Sequence, residues 1–196
     1  WASFADGEFT DAEIVKVDRA LADLHLKTRN TTLLEKAGWF GGELVFVRLG
    51  AQIDGNYNPV GLNGGSGITL MDASFNGDRY GADDSLVQTV FHEIAHNWDS
   101  ENDRWDDWKE ISGWRDPFWP WENDSGYTES GDEDWFYESS ATFARDYGKY
   151  NPYEDFATYF AKVMMDDSGR TYDDGGTGST NTQKERFMDD FFASLT

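Results

Sequence analysis

Residues 85–98, SLVQTVFHEIAHNW, constrain the chain more than any other stretch. Val87, Val90, Phe91, Ile94, Ala95 and Trp98 recur at helical spacing and form a stripe broad enough to sink a helix into a core. The same stretch carries His92-Glu93-Ile94-Ala95-His96, two histidines four positions apart around a glutamate. Positions i and i+4 share one helix face, so both imidazoles can reach a single metal ion with Glu93 beside it. Three histidines in 196 residues give this pattern by chance in on the order of a few chains per thousand. The competing reading is a buried helix whose histidines are merely hydrogen-bonded, and the glutamate between them argues against it.

Cysteine is absent, so disulfides and thiolate ligands are excluded, and histidine and carboxylate must hold any metal. With 38 acidic against 16 basic residues the net charge is −22, which argues against nucleic acid or an anionic membrane as partner. An aromatic content of 16% is too high for a disordered acidic chain. A length of 196 residues suits one domain, spanning residues 1–196, and a monomer is expected. No apolar run reaches the length of a membrane span. A chain that opens on Trp1, with no basic-plus-apolar signal segment, reads as a processed secreted or periplasmic protein, although the lack of cysteine fits a cytoplasmic one equally well.

Thr10 and Asp11 read as the cap of a first helix, along which Ile14, Val17, Ala20, Leu21, Leu24 and Leu26 follow at helical period. His25 within it reads as an ordinary surface or core residue. Residues 43–49 and 67–71 read as strands around an Asn/Gly-rich loop, which with the helices gives an α+β chain. Asp72 to Asp78, with Asp83 beyond, echoes a calcium loop but carries Ser74 at its third position, so a polar turn is the simpler reading and calcium a secondary expectation. Residues 166–180 read as a surface loop, and Ser85 with Gln88 as a capping box opening the histidine helix.

A catalytic zinc usually takes three protein ligands. The extended pattern H-E-x-x-H-x-x-G-x-x-H needs Gly at 99 and His at 102, where this chain has Asp99 and Asn102. A glutamate about twenty positions beyond the second histidine is also missing, because position 116 is Asp. Glu154, in Asn151-Pro152-Tyr153-Glu154-Asp155-Phe156-Ala157, is the better candidate, at the start of a helix announced by Asn151 and Pro152. It has two readings that spacing leaves open, a metal ligand or the third residue of a capping box folded back on Asn151. Between the two motifs, residues 98–137 hold seven of the nine tryptophans amid many acids. They read as an acidic insertion that packs its own aromatics, or as a wall of a substrate cleft.

HEIAH, a tyrosine at 147 and N-P-Y-E-D-F-A together resemble the gluzincin metallopeptidases, in particular the branch containing the anthrax lethal factor catalytic domain and the Pro-Pro endopeptidases. The resemblance covers residues 85–165. It implies a zincin-like fold, with a small mixed sheet, an active-site helix and a mainly helical C-terminal lobe. It implies zinc on His92, His96 and Glu154, with Glu93 as general base and Tyr147 as donor to the developing oxyanion, Tyr150 and Tyr153 being the nearby rivals. It further implies peptide or protein substrates, with an extended peptide added beside the strand at 67–71. Many members carry a glutamate where this chain has Thr158, so Asp155 or Asp99 is expected to orient a histidine in its place. The alternative function is a non-catalytic, metal-stabilised binding module that uses the Trp-rich segment to hold glycan or protein.

Overall fold

Thr10 caps the first helix, α1 (Asp11–Thr28), with a complete capping box: its hydroxyl accepts from Glu13 N, and the Glu13 carboxylate accepts from Thr10 N at 2.8 Å. The computed structural model describes residues 4–35, 44–52, 60–64, 67–75, 84–100, 102–116 and 125–196. Val17, Ala20, Leu24 and Thr28 form the buried seam of α1, whereas Ile14 and Leu26 are exposed. Leu26 lies two positions from Leu24, roughly 200° round the helix, and cannot share its seam. His25 sits on the same exposed side.

Four strands make a mixed sheet in the order β1-β2-β4-β3: β1 (Phe4–Asp6), β2 (Phe46–Gln52), β3 (Gly61–Asn63) and β4 (Ile68–Leu70). β2 runs antiparallel to β1 and parallel to β4, and β3 returns antiparallel to β4. β4 alternates as a half-covered strand should, with Ile68 and Leu70 buried and Thr69 between them on the other face. β2 begins later than the 43–49 reading and runs on to Gln52; Leu44 and Val45 precede it, and residue 43 lies outside the described residues.

Asp72 starts a short helix, α2 (Asp72–Phe75), and its carboxylate takes Arg48 at 2.7 Å. Asp78 and Asp83 lie outside the described residues. The central helix is α3 (Asp84–Ala95), in which every residue from Ser85 to Ala95 except His92 is buried. Ser85 is inside this helix and makes no capping box with Gln88. Gln88 instead clamps the backbone of Asp173, accepting from its N–H at 2.8 Å and donating to its carbonyl at 3.1 Å. Arg170, reaching Asp84 and Asp23, ties the same loop down, so part of residues 166–180 is strapped to α3.

The rest comprises α4 (Trp105–Ile111), the hairpin β5 (Tyr127–Glu129) and β6 (Phe136–Glu138), a 3-10 turn over Asp146–Lys149, α5 (Pro152–Asp167) and α6 (Thr182–Ser194). Asn151 caps α5 by accepting from Glu154 N at 2.8 Å, and Pro152 occupies its first turn, a start worth about 1 kcal/mol. One core joins α1, α3, α5 and α6 and takes in Trp108 of α4, whose ring meets Phe156, Tyr159 and Phe187 edge-on. Trp114, Tyr137 and Phe143 form a smaller cluster. The Trp-rich segment is thus part of the main core as well as a packing unit of its own; Trp119 and Trp121 lie outside the described residues. The mixture of helices and two small sheets is α+β, and no described helix is long and apolar enough to cross a membrane.

Candidate metal centre

α3 and α5 pack against each other, with small residues such as Ala157 and Ala161 on the α5 side of the core. The C-terminal turn of α3 therefore meets the first turn of α5. His92 comes from the first, His96 from the residue directly after it and Glu154 from the second, with one ligand atom of each within 4.8 Å of the others. Nε2 of His92 lies 3.3 Å from Nε2 of His96, and Oε2 of Glu154 lies 3.0 Å and 3.5 Å from the two nitrogens. Ligands at zinc's usual ~2.0–2.1 Å in a tetrahedron stand about 3.3 Å apart, so the spacing matches the edges of such a site. Oε2 of Glu154 is buried with no aligned hydrogen-bond donor, an acceptor that a cation would satisfy. The donor set, two imidazoles and a carboxylate with no sulfur, suits zinc and also other first-row divalent ions. Glu154 turns to the histidines and not back onto the backbone N–H of Asn151, so only one half of a capping box forms, the bond from Glu154 N to Oδ1 of Asn151.

Glu93 lies on the same turn as the histidines and is 5% exposed. Burial raises its pKa, opposed by the neighbouring His92 and His96. β3 runs directly over it: a Cβ placed on Gly61 would stand 2.7 Å from Oε1 of Glu93 and 2.9 Å from its Cγ. Only glycine lets the strand lie this close. Two residues on, Asn63 donates at 2.7 Å to the carbonyl of Glu93 and at 2.7 Å to Oδ1 of buried Asn97, fastening strand to helix. Sequence reasoning missed Gly61, Asn63 and Asn97, because three separated polar or small residues carry no pattern of their own. β4 is interior to the sheet, paired on both sides, so it offers no edge for an added strand. Among the described residues β3 pairs only with β4, and Gly61 turns its Cβ side towards Glu93.

Asp99 stands in the turn after α3, buried, with Oδ2 at 3.1 Å from Nδ1 of His96. It orients that ring so that Nε2 faces Glu154. Asp155 has no part in this, being turned away into the core against Lys184. Asn102, in the place where the longer histidine motif would put a third ligand, instead donates to the carbonyls of Trp98 and Asp99 at the end of the helix. Asp99→Ala should weaken zinc binding about 10–100-fold with the fold retained, as measured by competition with a chromophoric chelator. Unchanged affinity would remove Asp99 from the site.

Tyr147, in the 3-10 turn, donates from its hydroxyl to Oε1 of Glu154 at 3.2 Å, and the residue is 46% exposed. Its ring centroid is 5.9 Å from that of His92, and Tyr150 stacks on it. Of the rival tyrosines, Tyr153 stacks on Trp105. Gly148 allows this turn to lie against α5, since a Cβ there would meet Oγ1 of Thr158 at 2.9 Å. Thr158 itself is spent on the helix, donating to the carbonyls of Glu154 and Asp155.

Burial works against a charged His96, but Asp99 at one ring nitrogen, and Glu154 and Glu93 near the other, push its pKa up to about 10. Glu154 is also buried, which raises a carboxyl, yet the two imidazoles outweigh this and hold it well below the usual range. The metal-free His96 is therefore protonated at neutral pH, and a ligating histidine must lose that proton. Zinc affinity should rise with pH from neutrality towards 10, with about one proton released per zinc at pH 7. Titration calorimetry in buffers of different ionisation enthalpy reads this release, and a zero value contradicts it. No family model, curated protein or solved structure matches this chain. The centre accordingly rests on its own geometry.

Proposed function

We propose that this chain is a zinc-dependent endopeptidase of gluzincin type, with His92, His96 and Glu154 as the metal ligands. The observation that carries the reading is the spacing of 3.0, 3.3 and 3.5 Å among three ligand atoms with a buried glutamate, Glu93, beside them. A purely structural site has no use for that glutamate. Bound zinc contributes Lewis acidity, which polarises a peptide carbonyl and acidifies water.

The chain's own groups supply the rest. Glu93 accepts a proton from the attacking water on its carboxylate and delivers it to the leaving amine, a role that its raised pKa favours. Tyr147, whose hydroxyl lies against Glu154, would donate to the charge that develops on the carbonyl oxygen. An extended peptide laid along β3 would run close to Glu93, whose carboxylate lies against Gly61 of that strand. Asp99 keeps His96 in register throughout.

The rival reading is a binding module built on the tryptophans, and the packing of the described ones favours it less than the ligand geometry favours a peptidase. Trp108 and Trp114 are buried, Trp98 packs on Phe191, Trp105 on Tyr153 and Phe156, and Trp135 on Tyr153. The test is hydrolysis of unfolded casein and of a peptide library by the zinc-loaded protein, before and after chelation. Chelator-sensitive internal cleavage is expected. A protein that binds zinc and yields no products would sink the peptidase reading.

A further inference from the structure

Glu154 is followed at once by a second carboxylate, and the two project from the first turn of α5 roughly 100° apart. Asp155 and Lys184 of α6 both have side chains 0% exposed, with Nζ at 2.6 Å and 2.8 Å from the two carboxylate oxygens. The remaining capacity of the pair is filled. Lys184 donates to the carbonyl of Thr142 at 2.9 Å, and Oδ2 of Asp155 accepts from Ser112 Oγ at 3.1 Å and Trp114 Nε1 at 3.0 Å. The rings of Phe143, Trp108 and Tyr159 surround the ammonium, with centroids 4.5–5.7 Å away.

We propose that Lys184 is a positioning residue for the metal centre: by claiming Asp155 it sets the rotation of the first turn of α5, so that Glu154 is the carboxylate presented to His92 and His96. Three considerations support this. A buried ion pair is a poor source of stability, because desolvating both charges offsets their attraction, and two apolar side chains would join α5 to α6 at least as well. The pair gathers α6, the Ser112–Trp114 turn and Thr142 onto the one residue adjacent to the ligand, which is where rotation of the helix start is controlled. First turns fray, and the Asn151 cap fixes the backbone of Glu154 but not the direction of its side chain. Without Lys184, Asp155 is an unclaimed carboxylate one position from the ligand, able to compete for the same cation.

The proposal rests on the centre binding zinc but not on peptidase activity, so zinc affinity is the readout. It is measured by chelator competition on wild type, Lys184→Met and the double variant Asp155→Leu/Lys184→Met, with folding followed by circular dichroism and thermal unfolding. Lys184→Met is expected to lose stability and to bind zinc about 10–100-fold more weakly. The double variant carries no orphaned charge, so it should regain stability while its affinity stays low. If both variants bind like the wild type, or if the double variant regains affinity together with stability, the pair is structural and the proposal falls. A wild type that takes up no zinc overturns the metal centre and this inference together. If Lys184→Met does not fold, the double variant alone decides.

Discussion

Replacing Glu93 with Gln should lower the rate of peptide hydrolysis by about 10²–10⁴-fold, the usual contribution of a positioned general base, and leave zinc in place. The substitution keeps size and shape, which matters here because Gly61 leaves only 2.7 Å between its missing Cβ position and Oε1 of Glu93. It removes the proton acceptor and nothing else from the site, since the carbonyl bonded to Asn63 belongs to the backbone. Zinc content by elemental analysis should equal that of the wild type, and thermal stability should not fall, because a neutral amide replaces a carboxylate whose ionised form burial disfavours. Equal turnover by both proteins would mean that Glu93 is not the base and that any hydrolysis arises elsewhere.

Glu154→Ala should abolish stoichiometric zinc binding, a loss well beyond the ~10–100-fold expected of residues that only support a ligand. Folding should survive, because the N–H of position 154 remains capped by Asn151 whatever its side chain. Glu138→Ala is the matched control: that carboxylate is exposed on β6 and does not belong to the ligand group. Elemental analysis of both variants after dialysis against zinc should show metal lost only from the first. Zinc retained at full occupancy in Glu154→Ala would exclude it as a ligand and leave two histidines in need of another partner.

Much of the centre is written in local sequence because its parts are local. The spacing of His92 and His96 places them on one face of any helix, and the apolar stripe from Val87 to Trp98 requires that helix to be buried. Thr10 with Glu13 and Asn151 with Pro152 are complete as start signals within four residues, and both helices begin where those signals stand. Where a local signal had two outlets, its surroundings decided. Ser85 and Gln88 have the spacing of a capping box, yet the backbone of Asp173 offers Gln88 both a donor and an acceptor, and the side chain goes there.

Sequence alone determined that this chain buries a helix bearing two histidines and a glutamate, and that another helix begins at Pro152 with a carboxylate in its first turn. Only the tertiary structure decided what those groups face. It turned Glu154 towards the histidines and Asp155 towards Lys184, chose Asp99 to hold His96, and put β3 instead of β4 beside Glu93. The physical reason is the same in each case. Periodicity and caps act over one or two helical turns, whereas the direction of a carboxylate and the order of strands depend on residues up to about sixty positions away, whose packing sets helix rotation and sheet edges.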